Sequence, residues 1–394
     1  MNRRGFLQNI GAASMFFGSG KLMAAPASQS RFLIVFLRGG YDAANLLVPV
    51  SSAFYYEARP EIAIPRPSAE LNSAIALDGN WGLHPALRET VYPFFQKGEA
   101  AFIPFAGTDD TSRSHFETQD NIELGQPPGR GRNYRSGFLN RLATVVMGAD
   151  PMAFTDQLPI AFQGAVQVPN TALKAFAKPS VDARQSSVIA SMYKGTGLGA
   201  QVNEGFAVRD EVMREMSGEM EAASRNAMTA KGFELEARRM ARLMKERYNI
   251  GFVDVGGWDT HVNQGGNSGY LAGRFEELGR GLAAFAQEMD RAWRDTTVVV
   301  LSEFGRTFRQ NGNRGTDHGH GTVFWVLGGG VRGGRIAGEQ VRVESSTLFQ
   351  NRDFPVKNEY RSVLAGLLAR QYGLNQGQLE QVFAGVTPID LALL

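Results

Sequence analysis

The chain contains no cysteine. Disulfides and thiolate ligands are therefore excluded, and any bound metal must be held by nitrogen and oxygen. Histidine is scarce, with five in 394 residues. Basic runs interleaved with aromatics are missing and the net charge is only +2, so nothing points to nucleic acid as a partner. The one N-terminal apolar stretch, Ile10 to Phe17, is too short to span a bilayer, which leaves no transmembrane span in the mature form. Prolines are few beside 46 glycines, a balance that suits many tight βα turns rather than disorder. What is abundant is apolar residue: 43% of the chain, enough for the core of one large α/β domain or two smaller ones.

The N-terminus reads "MNRRGFLQNIGAASMFFGSGKLMAAPA". Arg3 and Arg4 precede Gly5-Phe6-Leu7, a weakly hydrophobic stretch follows, and Ala24, Ala25 and Ala27 offer a cleavage site. This is the order of a secretion signal over residues 1–30, of the twin-arginine type. It implies the twin-arginine export machinery as a partner and a periplasmic or otherwise exported destination. That route carries folded proteins, so a metal can be loaded before export.

The mature chain, 31–394, alternates strands and helices. "RFLIVFLRGG" (31–40) is a continuous apolar run ending in glycines, as expected of a central strand buried on both faces. "AAFIPFAG" (100–107) is a second, after a helical stretch from Pro85 to Lys97, and "DQLPIAFQG" (156–164) is read as a third. Residues 109–125 read as a turn and a helix with Thr111 or Ser112 at its N-cap. The pattern weakens from 165 to 247, read as a cap or helical insertion with polar helices at 209–228 and 233–248; Met213, Met216 and Met220 there fit core packing. "NIGFVDVGGWDTH" (249–261) restores the rhythm. Leu271, Phe275, Leu278, Leu282, Phe285 and Met289 then recur at helical spacing. "TTVVVL" (296–301) and "TVFWVLGGG" (322–330) are read as central parallel strands. Alternation of this kind predicts a three-layer α/β/α sandwich with a mostly parallel central sheet. Active sites of such sheets lie beyond the carboxyl ends of the strands. Neither "LRGGYD" nor "LGGGVRGG" is a GxGxxG opening a helix, so no dinucleotide site is read.

Functional side chains collect just past these strand ends. Asp42 follows the first; Thr111, Ser112, Ser114 and His115 follow the second; Asp259 and His261 follow the 250–255 strand; Ser302, Glu303 and Arg306 follow the next. The loop "GTDHGHG" (315–321) adds Asp317, His318 and His320. Only His84, in "WGLHPAL", lies outside this set. A lone histidine is more often structural than functional, but four of five at one sheet edge with several carboxylates reverses that weighting. Mixed carboxylate and imidazole ligation suits one or two divalent ions, whether zinc, manganese, magnesium or calcium.

"LRGGYDAANLLVP", "LHPAL", "SRSHFETQD", "GGWDTH", "SEFGRT" and "GTDHGHG", in that order, resemble the bacterial DUF1501 family, over nearly the whole mature chain. That family is grouped with the alkaline phosphatase and sulfatase superfamily. The resemblance implies an alkaline-phosphatase-like fold, metal ligands at strand ends and hydrolysis of phosphate or sulfate esters, with a small-molecule or polymer ester as substrate. It makes Asp42 the first-strand metal ligand, Asp259 and His261 a later ligand pair, and Asp317 and His318 an Asp-His motif. Glu303 then substitutes as a ligand, with Phe304 where the superfamily has a histidine, and His320 completes the set. Superfamily nucleophiles are serine or threonine at a helix start. Ser112 ranks ahead of Ser114 and Thr111, because Arg113 beside the two serines suits an anion; His115 is a further catalytic candidate. The alternative is that these hydroxyls only cap the helix. Asn45 and Arg306 are weaker anion-contact candidates, with a salt bridge the equal alternative for Arg306. Trp258 and Phe304 are assigned to packing. Sulfate is the less favoured ester, since Ser112-Arg113-Ser114-His115 lacks the proline of the sulfatase motif. The functional expectation is an exported metal-dependent hydrolase, the alternative a metal-binding envelope protein of the same fold without turnover.

Overall fold

Residues 30–127, 131–173, 183–207 and 232–394 are described by the structure, a computed structural model. Residues 1–29 of the segment read as a signal sequence, and the helix read at 209–228 with its three methionines, lie outside them.

Eight strands form the central sheet: β1 (Arg31–Leu37), β2 (Ala100–Gly107), β3 (Pro151–Ala153), β4 (Ile250–Val255), β5 (Thr296–Ser302), β6 (Thr322–Leu327), β7 (Arg335–Ile336) and β8 (Asn358–Glu359). Their order is β7-β2-β6-β5-β1-β4-β3, with β8 also paired to β2. β1 sits between β4 and β5 and is parallel to both. That position explains its unbroken apolar run: Leu33, Val35 and Leu37 face one core cluster, while Phe32, Ile34 and Phe36 face the other. The first cluster is covered by α3 (Phe233–Glu246) and α4 (Tyr270–Met289), the second by α2 (Phe138–Val145), α5 (Tyr360–Tyr372) and α6 (Gln376–Val382). The three-layer sandwich read from the sequence is thus present. The stripe from Leu271 to Met289 is the buried face of α4.

Three local readings are corrected. β6 runs antiparallel to both β2 and β5, not parallel. Composition could not show this, because a strand buried on both faces is a continuous apolar run in either direction. The third strand is Pro151–Ala153, while 156–164 is a loop with one 3₁₀ turn at Ile160–Phe162. Pro159 has no N–H for a ladder, and Ala161 instead gives its N–H to Glu123 Oε2 at 3.1 Å. The stretch 85–97 is broken into a 3₁₀ turn, Pro85–Leu87, and a short helix, Tyr92–Gln96.

The antiparallel β6 matters for function. Register places the ends of β1, β4 and β5 level, Leu37 beside Val255 and Ser302. Because β6 returns from that same edge, the long 303–321 connection between β5 and β6 never leaves it. Backbone must pass close to backbone there: a Cβ on Gly39, whose φ is +123°, would lie 2.7 Å from Asp259 N, and one on Gly319 would lie 2.4 Å from the Arg306 carbonyl carbon.

His84 is structural. Its Nδ1 accepts from Ala86 N at 3.1 Å, so its Nε2 carries the proton and donates to Gly266 O at 3.1 Å. Burial pushes its pKa down from 6.5 to about 4. The unfolded chain therefore takes up a proton at a higher pH than the folded one. The stabilisation is complete above pH 6.5 and is lost as pH falls toward 4, by about 3 kcal/mol. Urea unfolding of His84→Gln, which keeps a donor for Gly266 O, should lose less stability than wild type by about that amount over the window; equal losses would contradict the assignment.

Candidate functional site

α1 (His115–Leu124) starts just past β2. Its N-cap is Ser114, whose hydroxyl accepts from Glu117 N at 3.5 Å, and not Thr111 or Ser112. The reason is an extra turn before the helix: Asp110 Oδ1 takes Ser112 N–H at 2.8 Å and Ser112 Oγ takes Ser114 N–H at 3.3 Å. The delay sets His115 at the first helical position, facing the 303–321 connection.

Three imidazoles meet there. His115 Nε2 lies 2.9 Å from His318 Nε2, and His261 Nε2 lies 3.1 Å from the same atom. Each ring has its other nitrogen tied to an oxygen. His115 Nδ1 donates to Glu303 Oε1 at 2.8 Å, His261 Nδ1 to Asp317 Oδ1 at 3.1 Å, and His318 Nδ1 to the Arg113 carbonyl at 3.1 Å. In its neutral form, with Nδ1 protonated, each ring would turn an Nε2 lone pair inward. The Asp259 carboxylate closes the group: Oδ1 is 3.0 Å from His261 Nε2 and 3.3 Å from His318 Nε2, and Oδ2 is 3.6 Å from His115 Nε2. His115, Asp259 and His318 offer ligand atoms within 4.8 Å of one another, close enough to share a metal ion. The donor chemistry fits: three lone pairs and a carboxylate, all nitrogen and oxygen, each ring braced through its second nitrogen as in metal-ligating histidines.

The other candidates stand around this group rather than in it. Glu303 is wholly buried with both oxygens occupied: Oε1 accepts from Gly39 N, His115 and Gln119 Nε2 at 2.8, 2.8 and 2.9 Å, and Oε2 from Ser302 Oγ at 2.9 Å. Burial alone would raise its pKa, but these donors hold it below the usual range. It orients His115 instead of joining the four. Asp317 likewise braces His261 and accepts from Asn311 Nδ2 at 3.1 Å. Asp42 is displaced from the group altogether. Fully buried, it is ion-paired to the equally buried Arg59 at 2.5 Å and accepts from Gln264 Nε2 at 2.6 Å. His320 packs on Phe349 at 4.8 Å between ring centroids, and burial lowers its pKa. Arg113 offers no free guanidinium, since its Nε and Nη2 bind Asp353 Oδ2 at 3.0 and 2.7 Å. Its contribution is the backbone: a left-handed φ of 55° aims its carbonyl at His318.

Arg306 proves the more telling residue. Its buried guanidinium donates from Nη1 to Asp259 Oδ1 at 2.5 Å and from Nε to Thr316 Oγ1 at 3.3 Å, and Nη2 bonds the Thr316 carbonyl. Partial burial raises the Asp259 pKa, yet Arg306 and the neighbouring imidazoles bring it below the ordinary value. His115 is held above its usual value by Glu303, against burial. His318 is held below by burial, then by His115 and Arg306. Phe304 lies 4.8 Å from the His115 ring and 5.2 Å from that of His318, a packing part as read. Asn45 is buried in the core, donating to Ile62 O and accepting from Tyr55 and from the Arg59 guanidinium that pairs with Asp42.

Sequence reading missed Gln119, Gln264, Asn311, Thr316, Arg352 and Asp353. Gln119 was within reach: it is one helical turn past His115, so both meet Glu303. Asp353 carried no signal, being far along the chain in an unremarkable loop.

The family model described as "Protein of unknown function (DUF1501)" matches residues 29–383. No curated protein matches the chain. Among solved structures, the chain is similar to the lipoteichoic acid synthase LtaP from Listeria monocytogenes, at 9% identity over 93% of this chain and 76% of that one, with a TM-score of 0.41. It is also similar to a protein in the alkaline phosphatase superfamily from Vibrio parahaemolyticus, at 11% identity over 83% and 69%, TM-score 0.34. BT1596, a 2-O GAG sulfatase, shares 11% identity over 92% and 73%, TM-score 0.36.

The Asp42–Arg59 pair yields a discriminating test. Arg59→Met leaves Asp42 buried without its counter-charge, which should cost about 3–5 kcal/mol in urea unfolding. The zinc affinity of the folded protein should stay at the wild-type level. A loss of zinc at unchanged stability would return Asp42 to the ligand set.

Proposed function

The chain belongs to the DUF1501 family, and from that premise and the geometry of the sheet edge we propose that it is a metal-dependent hydrolase of phosphate esters and, less favourably, sulfate esters. The observation that carries the reading is the convergence of three Nε2 atoms and one carboxylate, with every Nδ1 already bound to an oxygen. His115, His261, His318 and Asp259 would hold the ion, and zinc or manganese suits this set better than magnesium or calcium. A bound divalent cation would supply Lewis acidity, offsetting charge on the transferring group and favouring deprotonation of the attacking hydroxyl.

Ser112 is the preferred nucleophile. It is exposed, whereas Ser114 is half-buried at the helix cap; the Ser112 Oγ accepts from Ser114 N at 3.3 Å and the Ser114 Oγ from Glu117 N at 3.5 Å. Attack by Ser112 Oγ on phosphorus would form one P–O bond and break the ester P–O bond, the alcohol leaving with a proton. Water would then cleave the seryl ester and restore the hydroxyl. One observation favours the rival reading of a metal-binding envelope protein without turnover. Among the described residues, no serine or threonine hydroxyl is hydrogen-bonded to any of the four converging side chains. Export by the twin-arginine route belongs to the same proposal; no helix among the described residues is long and apolar enough to cross a membrane.

Elemental analysis of protein purified without chelators should find zinc or manganese, and His318→Ala should abolish it. The metal-replete protein should hydrolyse an aryl phosphate, phosphodiester or sulfate, with Asp259→Ala and Ser112→Ala each lowering kcat/KM at least about 100-fold. A metal-replete protein that turns over none of these esters would leave the binding-protein reading standing.

A further inference from the structure

We infer that the ester accepted at this site carries a single negative charge at the transferring group, as a phosphodiester or a sulfate monoester does, and that dianionic phosphate monoesters are disfavoured. The inference rests on the metal-dependent reading above and adds the charge class of the substrate.

The argument is the pairing of guanidinium groups. Three arginines adjoin the constellation, Arg306 and Arg352 through their guanidinium groups and Arg113 through its backbone carbonyl, and all three guanidinium groups are paired with carboxylates, two of them sharing one. Arg306 is held by Asp259 at 2.5 Å. Arg113, whose carbonyl receives His318, is held by Asp353 at 2.7 Å. Arg352, which donates from Nη2 to His318 O at 2.9 Å, shares that same Asp353 at 3.3 Å. The carboxylates Glu303 and Asp317 add two negative charges behind His115 and His261. Three cationic side chains thus face four anionic ones, and a divalent cation leaves the assembly with one net positive charge. A monoanionic ester balances it. A phosphate monoester carries close to two charges above neutral pH, and the second would lie uncompensated in a half-buried site. Nor is a guanidinium fork left for a second oxyanion, as dianion recognition by arginine would require.

The reaction of a phosphodiester closes consistently. Overall, a water oxygen forms a P–O bond, the P–O bond to the leaving group breaks, and the proton released by water ends on the departing oxygen. The products are an alcohol and a phosphate monoester, whose remaining acidic proton passes to solvent above neutral pH; the resulting dianion is the species the site holds least well, which favours its release.

The full-length, zinc-loaded protein tests this by isothermal titration at pH 8.5 with two unreactive ligands, phenylphosphonate (a dianion) and its monomethyl ester (a monoanion). The monoanion should bind at least tenfold tighter; equal or tighter binding of the dianion overturns the inference. Rates on bis(4-nitrophenyl) phosphate, 4-nitrophenyl sulfate and 4-nitrophenyl phosphate then separate the phosphorus and sulfur sources. One of the first two should exceed the third in kcat/KM by at least tenfold, and preference for the third overturns the inference. If no ester is cleaved while the monoanion still binds tighter, the hydrolase reading fails and the charge class stands. Asp353→Asn releases Arg113 and Arg352 from their counter-charge and should shrink the monoanion preference at least tenfold. An unchanged preference in a folded variant contradicts the pairing argument. The comparison of the two ligands on the unaltered protein decides the matter even where that variant does not fold.

Discussion

Imidazole nitrogens 2.9 and 3.1 Å apart, each bearing a lone pair, repel unless something positive lies between them. What forces them together is the bond on the far side of each ring. Glu303, Asp317 and the Arg113 carbonyl take the Nδ1 protons and fix both tautomer and orientation. Phe304 packs against two of the rings and limits their tilt. Arg306 does for Asp259 what those oxygens do for the histidines, since one of its donors grips the carboxylate and others are anchored on Thr316 and the Gly39 carbonyl. The site is therefore assembled in advance by groups that do not join it, at a cost in mutual repulsion that a cation would remove.

The fold makes that assembly possible through one strand direction. Were β6 parallel to β5, the chain would cross to the opposite edge of the sheet before starting it, and His318 would leave the site. Running antiparallel, β6 begins where β5 ends, so Glu303, Arg306, Asp317 and His318 stay within one connection at one edge. Glycines in the connection and in the loop after β1 serve that crowding. Side chains at Gly39 or Gly319 would collide with neighbouring backbone.

The layered architecture and the edge that bears the site were legible in the sequence, because buried parallel strands leave continuous apolar runs and the chemistry-bearing residues follow them. His115, Asp259, His261 and His318 were all among the residues so gathered. Their division into inner and outer roles was not legible. Asp42 and Asp259 look alike in sequence; only the packing shows that Arg59 neutralises the first and that Arg306 holds the second towards the histidines. Glu303 and Asp317, read as ligands from the sequence, lie against Nδ1 of His115 and His261; a carboxylate beside a histidine reads the same whether it binds a metal or the histidine's other nitrogen. Arg113, read as an anion clamp, turned out to act through its carbonyl. That depends on a backbone φ, which composition does not encode.

The central claim is that the four inward-facing groups surround one cation. Anomalous diffraction at the zinc edge from crystals of the zinc-loaded protein tests it most directly. The account predicts a peak bounded by Nε2 of His115, His261 and His318 and a carboxylate oxygen of Asp259, with every Nδ1 contact preserved. A peak elsewhere, or bound zinc with these four side chains turned away from it, would contradict the account.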